Sequence, residues 1–181
     1  MADRFQGQWD PLGEQTYIDE TRKATQVIWL GRIAVLNQQY VVQLATDDDL
    51  ISLLKISGLG TRQCSIGSYD AWESFSESCY LVRYKNGKQW QHEDAENYTL
   101  KEFASEKQND PEFARKGEFT HKIIISAYDT QRDKRVIIDG VHRATILTNE
   151  CEKRLRIPNA TIYECYGGTV DRIFPCDFSH F

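Results

Sequence analysis

Hydrophobic and polar positions along this chain repeat with two periods, which sort it into strands and helices. Runs rich in β-branched and aromatic residues at 27–36, 40–44, 79–84, 122–126, 136–138 and 160–165 read as strands, each bounded by polar or glycine-containing punctuation. Asn37-Gln38-Gln39 joins the first two as a hairpin, and Asn86-Gly87, the strongest short hairpin signal in the chain, turns the strand at 79–84 back through 88–91. Spacings of three and four predict helices starting near Asp47, Thr99 and Val141. In the first, Leu50, Leu53 and Leu54 face inward behind the candidate cap Asp47, and Gly58-Leu59-Gly60 stops it. The second opens on Thr99-Leu100-Lys101-Glu102, a capping box in which Thr99 serves the Glu102 N–H and Glu102 reaches back, and runs to about 108. The third carries Ala144, Leu147, Cys151 and Leu155 on one face and follows Val136-Ile137-Ile138 after the short turn Asp139-Gly140. Residues 64–78 show no clear period, with a helical turn at 70–75, and the polar first twenty residues, with Pro11 and Gly13, read as an irregular arm pinned by Trp9. Strands alternating with helices in this order predict an α+β fold, a mixed sheet flanked by helices with the 136–147 junction at the sheet's end.

Composition adds that the chain has a core to build. With 181 residues, 40% hydrophobic and 12% aromatic, it has the apolar surface for one full-sized domain with an N-terminal elaboration. Three phenylalanines in the last eight residues predict a tail that packs back on the domain or enters a partner's groove. Five cysteines without a C-x-x-C pair indicate neither a disulfide framework nor a zinc site. No leader-like apolar segment opens the chain and no run is long enough to span a bilayer, so a cytoplasmic protein is expected.

Charge changes the picture locally. The net charge is −5, which gives no general attraction for nucleic acid. Between residues 121 and 160, however, eight Lys and Arg face five acids, so Arg132, Lys134, Arg135 and Arg143 form a candidate basic patch for DNA. The same charges also fit an ordinary solvated surface.

The chemistry concentrates at Asp139-Gly140-Val141-His142-Arg143. A glycine between a buried strand and a helix start lets a ligand approach the backbone, and the free N–H groups of the first turn favour an anion there. His142 and Arg143 add positive charge, and the Arg143 guanidinium can grip two phosphate oxygens. A carboxylate in this position repels phosphate unless it holds a metal, orients Arg143 or accepts a proton. From the residues alone a plain alternative stands beside this one, in which Asp139 caps the helix, Gly140 makes the turn, and His142 and Arg143 are solvated.

The string Ile138-Asp139-Gly140-Val141-His142-Arg143-Ala144 resembles the D-G-x-H-R signature of the ParB/sulfiredoxin-like superfamily, and the strands at 122–126 and 160–165 around it agree with that superfamily's hairpin, helix, strand order. The resemblance covers roughly residues 98–168. It divides the single domain expected over 1–181 into a β-rich elaboration at 1–95, which it does not match, the ParB/sulfiredoxin-like motif half at 96–168 and a tail at 169–181. It further implies ATP held at Gly140, Val141, His142 and Arg143, with Asp139, His142 and Arg143 catalytic and Asp139 steering Mg2+. Val141 stands where the sulfiredoxin branch carries its cysteine, and neither the arginine-rich second box nor the helix-turn-helix of the ParB branch follows. What remains implied is an ATPase, with metal-dependent DNase activity as a companion, similar to stand-alone plasmid or phage proteins such as fertility-inhibition proteins. The alternatives are a small-metabolite kinase and a catalytically silent inhibitor module that binds a protein partner. A second catalytic carboxylate is unassigned, with Glu112, Glu118 and Asp129 the nearest acids in sequence.

Overall fold

The computed structural model describes residues 3, 5–24, 46–56, 58–81, 84–85, 89–90, 99–111, 123–130 and 133–168. The hairpin expected at 27–44, the phenylalanine-rich tail, Glu112, Glu118 and Arg132 lie outside the described residues.

The chain is α+β. Strands β1 (Asp10–Pro11), β2 (Gly60–Ile66), β3 (Cys79–Leu81), β6 (Ile123–Asp129), β7 (Lys134–Asp139) and β8 (Ala160–Gly168) build a six-stranded mixed sheet in the order β1-β2-β8-β6-β7-β3. β8 runs parallel to β6, and β3 parallel to β7, while the remaining neighbours are antiparallel. Both edges are short, which limits unwanted strand pairing, and Pro11 sits on one of them. β4 (Tyr84–Lys85) and β5 (Gln89–Trp90) pair antiparallel outside this sheet, as the Asn86-Gly87 signal predicts.

Helices cover both faces. On one side α1 (Glu14–Ala24) and α2 (Asp47–Ile56) bring Tyr17, Ile18, Leu50 and Leu54 onto Ala127, Val136, Tyr163 and Cys165. On the other, α3 (Tyr69–Glu77), α4 (Leu100–Glu106) and α5 (Val141–Glu152) close over Cys64, Ile66, Ile124, Ile137, Ala160 and Ile162. The alternation along β8 explains the two layers, since Ile162 faces one cluster while Tyr163 and Cys165 face the other.

Four local expectations are corrected. The N-terminal arm is helical from Glu14, because Tyr17, Ile18 and Thr21 form a narrow buried seam whose polar surroundings mask it; packing rather than propensity supports such a short helix. Asp47 is not the α2 cap. Thr46 Oγ1 accepts from the Asp49 N–H at 3.2 Å and the Asp49 carboxylate accepts from the Thr46 N–H at 3.1 Å, while Asp47 pairs with Arg22 of α1. The ambiguous 64–78 stretch contains the end of β2 and all of α3, capped by Ser68, whose Oγ accepts from the Ala71 N–H at 3.2 Å. Leu155 is 71% exposed, because α5 ends at Glu152 and Arg154 takes a left-handed φ of 52°, which rotates Leu155 off the helix's buried face. The capping box at Thr99 and Glu102 has both its hydrogen bonds, and Gly58, with φ of 68°, stops α2 as expected.

Candidate functional site

Strand pairing sets the place of the motif. β6 and β8 begin, and β2, β3 and β7 end, at one end of the sheet, as the pairs Ile66–Ala160, Ile123–Thr161 and Leu81–Ile137 show. Asp139 is the last residue of β7 at that end, and α5 starts two residues later.

Gly140 is the N-cap of α5, with φ of 90°, a left-handed conformation that side chains rarely tolerate. A Cβ there would stand 3.2 Å from the Ile123 carbonyl oxygen and 3.3 Å from Arg143 Nε, so it would press on both and push the guanidinium aside. The Arg143 guanidinium folds back over Gly140 and donates to the Asp139 carboxylate at 2.9 Å, an i,i+4 pair with side chains 14% and 30% exposed respectively. Asp139 therefore orients Arg143 and does not cap the helix. Gly140 has no side chain to cap α5 with, in contrast to Ser68 of α3 and Thr99 of α4, which accept from first-turn N–H groups. The first backbone bond into the helix is Ala144 N–H to the Gly140 carbonyl at 2.8 Å, so the N–H groups of Val141, His142 and Arg143 precede the intrahelical ladder. Val141 packs its side chain on the core and offers the turn its backbone alone, while His142 is half-buried in the first turn. The structure thus brings Asp139, Gly140, Val141, His142 and Arg143 together.

It does not bring the proposed basic patch together. Arg135 is fully buried and belongs to the core. Lys134 lies at the start of β7, five residues and about 17 Å of strand from Asp139, with its amino group 4.7 Å from the Tyr80 ring centroid. Asp129 pairs with Lys134 at that same far end, so its place on β6 does not suit it as the second carboxylate of the turn.

The charged cluster that sequence reading missed surrounds Arg135. Glu164, fully buried on central strand β8, accepts from Arg135 Nε, from Arg62 Nε at 2.8 Å and from Ser126 Oγ at 2.8 Å. Arg135 also donates to Ser78 Oγ and to the Asp3 carboxylate, each at 2.6 Å. Burial works against the Arg135 charge, but the surrounding groups, Glu164 foremost and Asp3 with it, together hold the guanidinium pKa above its ordinary value. Trp9 and Tyr166 stack on Arg62 at 4.2 and 4.4 Å, and Phe5, Phe75 and Tyr128 ring Arg135. The signal was present: Glu164 continues the inward face of Ala160 and Ile162, and Arg135 shares an inward period with Ile137.

A groove of about 160 Å³ lies on the other half of α5, between it, α3 and α4, lined by Trp72, Glu73, Lys101, Thr148, Cys151 and Glu152. It is separate from the turn. Comparison with protein-family models, with characterised proteins and with solved structures returns no match to this chain.

Proposed function

We propose that the β7–α5 turn binds the phosphates of ATP and that the protein hydrolyses it. The observation that carries this reading is the start of α5: a left-handed Gly140 as its N-cap, which brings no capping side chain of its own, flanked by a guanidinium already oriented by Asp139. Backbone N–H groups and the helix dipole favour an anion at such an end, and Arg143 supplies directional donors beside it. Phosphoryl transfer needs positioning and charge neutralisation above all, and in this reading His142 and Arg143 provide them.

Mg2+ fits this turn as a companion of the nucleotide. Among the described residues no three His, Cys, Asp or Glu gather to hold a metal. A Mg2+ that keeps water and phosphate ligands requires only one or two protein carboxylates, and Asp139 is in place to serve; when bound, the ion would neutralise phosphate charge. DNA cleavage is the weaker companion activity, because Arg135 is unavailable to a nucleic acid and Lys134 lies at the far end of β7.

A second reading is favoured by the Asp139–Arg143 pair itself, which already satisfies the arginine and clamps strand to helix. In that reading the fold is a silent binding module. Calorimetry with Mg2+ and ATP on the parent and on Arg143→Ala separates the two. Loss of a charge-assisted bond to phosphate weakens binding by about 1.5–3 kcal/mol, roughly ten- to a hundredfold. Equal affinity in both proteins leaves the motif as a strand-to-helix clamp.

A further inference from the structure

The cluster around Arg135 gathers more charge than the core needs. Two guanidiniums, Arg62 and Arg135, meet one permanent partner, Glu164, which a central strand holds in place. That leaves one positive charge uncompensated in a mostly buried setting, which is costly. Asp3 completes the balance. Its carboxylate accepts from Arg135 Nη2 at 2.6 Å and lies 3.5 Å from Arg62 Nη2. Unlike Glu164, it comes from the arm before β1, is partly exposed, and its carboxylate otherwise holds, among the described residues, only a local turn, accepting from the Phe5 N–H at 3.0 Å. A second observation marks the same spot: Trp9 Nε1, in the ring that stacks on Arg62, is buried and has no hydrogen-bond partner among the described residues. Apolar packing could fill such a volume at no loss of stability, so the charges themselves call for another explanation.

We propose that Arg62 and Arg135 form an oxyanion-binding site whose resident ligand is the Asp3 carboxylate of the chain's own arm, and that a carboxylate or phosphate group on another molecule displaces it. Guanidinium forks suit either anion. Displacement of Asp3 loosens residues 5–9 and so couples ligand binding to release of the arm. The site is independent of the nucleotide reading, since four residues of β7, about 13 Å, separate Arg135 from Asp139.

The test has two parts. Hydrogen exchange on the unmodified chain, with inorganic phosphate and with acetate as probes, should show faster exchange at the Phe5 to Trp9 amides as one anion is titrated. Acceleration by acetate alone assigns a carboxylate ligand, and acceleration by phosphate alone assigns a phosphate; no change with either overturns the proposal. In an Arg143→Ala background, which removes the motif turn's arginine, Asp3→Asn should bind the active anion about tenfold more tightly, the worth of one charge-assisted bond. Adding Arg62→Gln should abolish that gain. Unchanged affinity in Asp3→Asn, or a gain that survives Arg62→Gln, overturns the assignment. Should Asp3→Asn fail to fold, the exchange experiment decides alone.

Discussion

Replacing Glu164 by glutamine keeps the side chain's size and removes its charge, so it isolates the electrostatics of the core. In the parent, Glu164 and Arg135 are both fully buried, and Glu164 accepts from two guanidiniums and the Ser126 hydroxyl. After substitution two cations share Asp3 alone, and the new amide must turn an N–H toward a donor or abandon one arginine. Each guanidinium–carboxylate contact is worth about 4 kcal/mol at 4 Å and an effective dielectric near 20, before desolvation is counted. The measured cost of stripping one partner from a buried pair is about 3–5 kcal/mol. That is a large part of the roughly 5–15 kcal/mol by which a domain is stable, and it corresponds to a fall in Tm of about 6–20 °C at this chain length. Urea unfolding followed by tryptophan fluorescence reads it directly, since Trp72 is completely buried beside the same core. Asp139→Asn is the internal control: its ion pair with Arg143 is 30% exposed on the carboxylate side, so its loss should shift stability by no more than about 1 kcal/mol. A Glu164→Gln cost as small as the control's, with an unchanged m-value, would refute the reasoning, because water would then have to reach both guanidiniums.

Gly140→Ala should lose about 1–2 kcal/mol from the left-handed backbone alone, and its Cβ, 3.2 Å from the Ile123 carbonyl oxygen and beside the Arg143 guanidinium, should weaken ATP binding as well; unfolding curves and calorimetry that both match the parent would contradict the geometry. Asp139→Asn releases Arg143 and removes a negative charge beside the phosphates, so ATP affinity should hold or rise while hydrolysis falls about a hundredfold; an unchanged rate on the folded mutant would end the catalytic role of Asp139. Burial pushes the Cys79 and Cys165 thiols up from 9.0 to about 12. Both folded-state values lie above the unfolded value, so this contribution is complete below pH 9.0 and is lost as pH rises toward 12, at about 1.4 kcal/mol per pH unit for each thiol; a urea midpoint that stays flat across that window would show that water reaches the thiols.

Local chemistry was legible along the chain. Thr99 and Glu102 lie within one helical turn, Gly58 makes its turn from its own backbone, and Val136 to Arg143 join strand, glycine and helix within eight residues, so neighbours in sequence decide each of them. The α+β class and the helices at α2, α4 and α5 followed from the same periodicities, while α1, β1, β2 and the full length of α3 did not. The Asp139–Arg143 pair is also local, one helical turn apart, yet its direction had to be seen: the string allowed a cap, a metal ligand or an orienting carboxylate, and only the left-handed Gly140 brings the guanidinium back over the turn.

The Arg62, Arg135, Glu164 and Asp3 cluster depended wholly on tertiary structure. Its bonds join residues 29, 102 and 132 positions apart, and although Glu164 and Arg135 fall on inward-facing positions, nothing near either in sequence supplies its partner. Arg135 counted toward a basic patch for that reason. Strand register places it opposite Tyr128 and brings Glu164 opposite both Arg62 and Ser126, and helix α3 with the arm then closes over them. Periodicity can say which way a side chain points. What it meets there is set by pairing with strands folded in from elsewhere, because burial and charge compensation are properties of the assembled sheet rather than of any stretch within it.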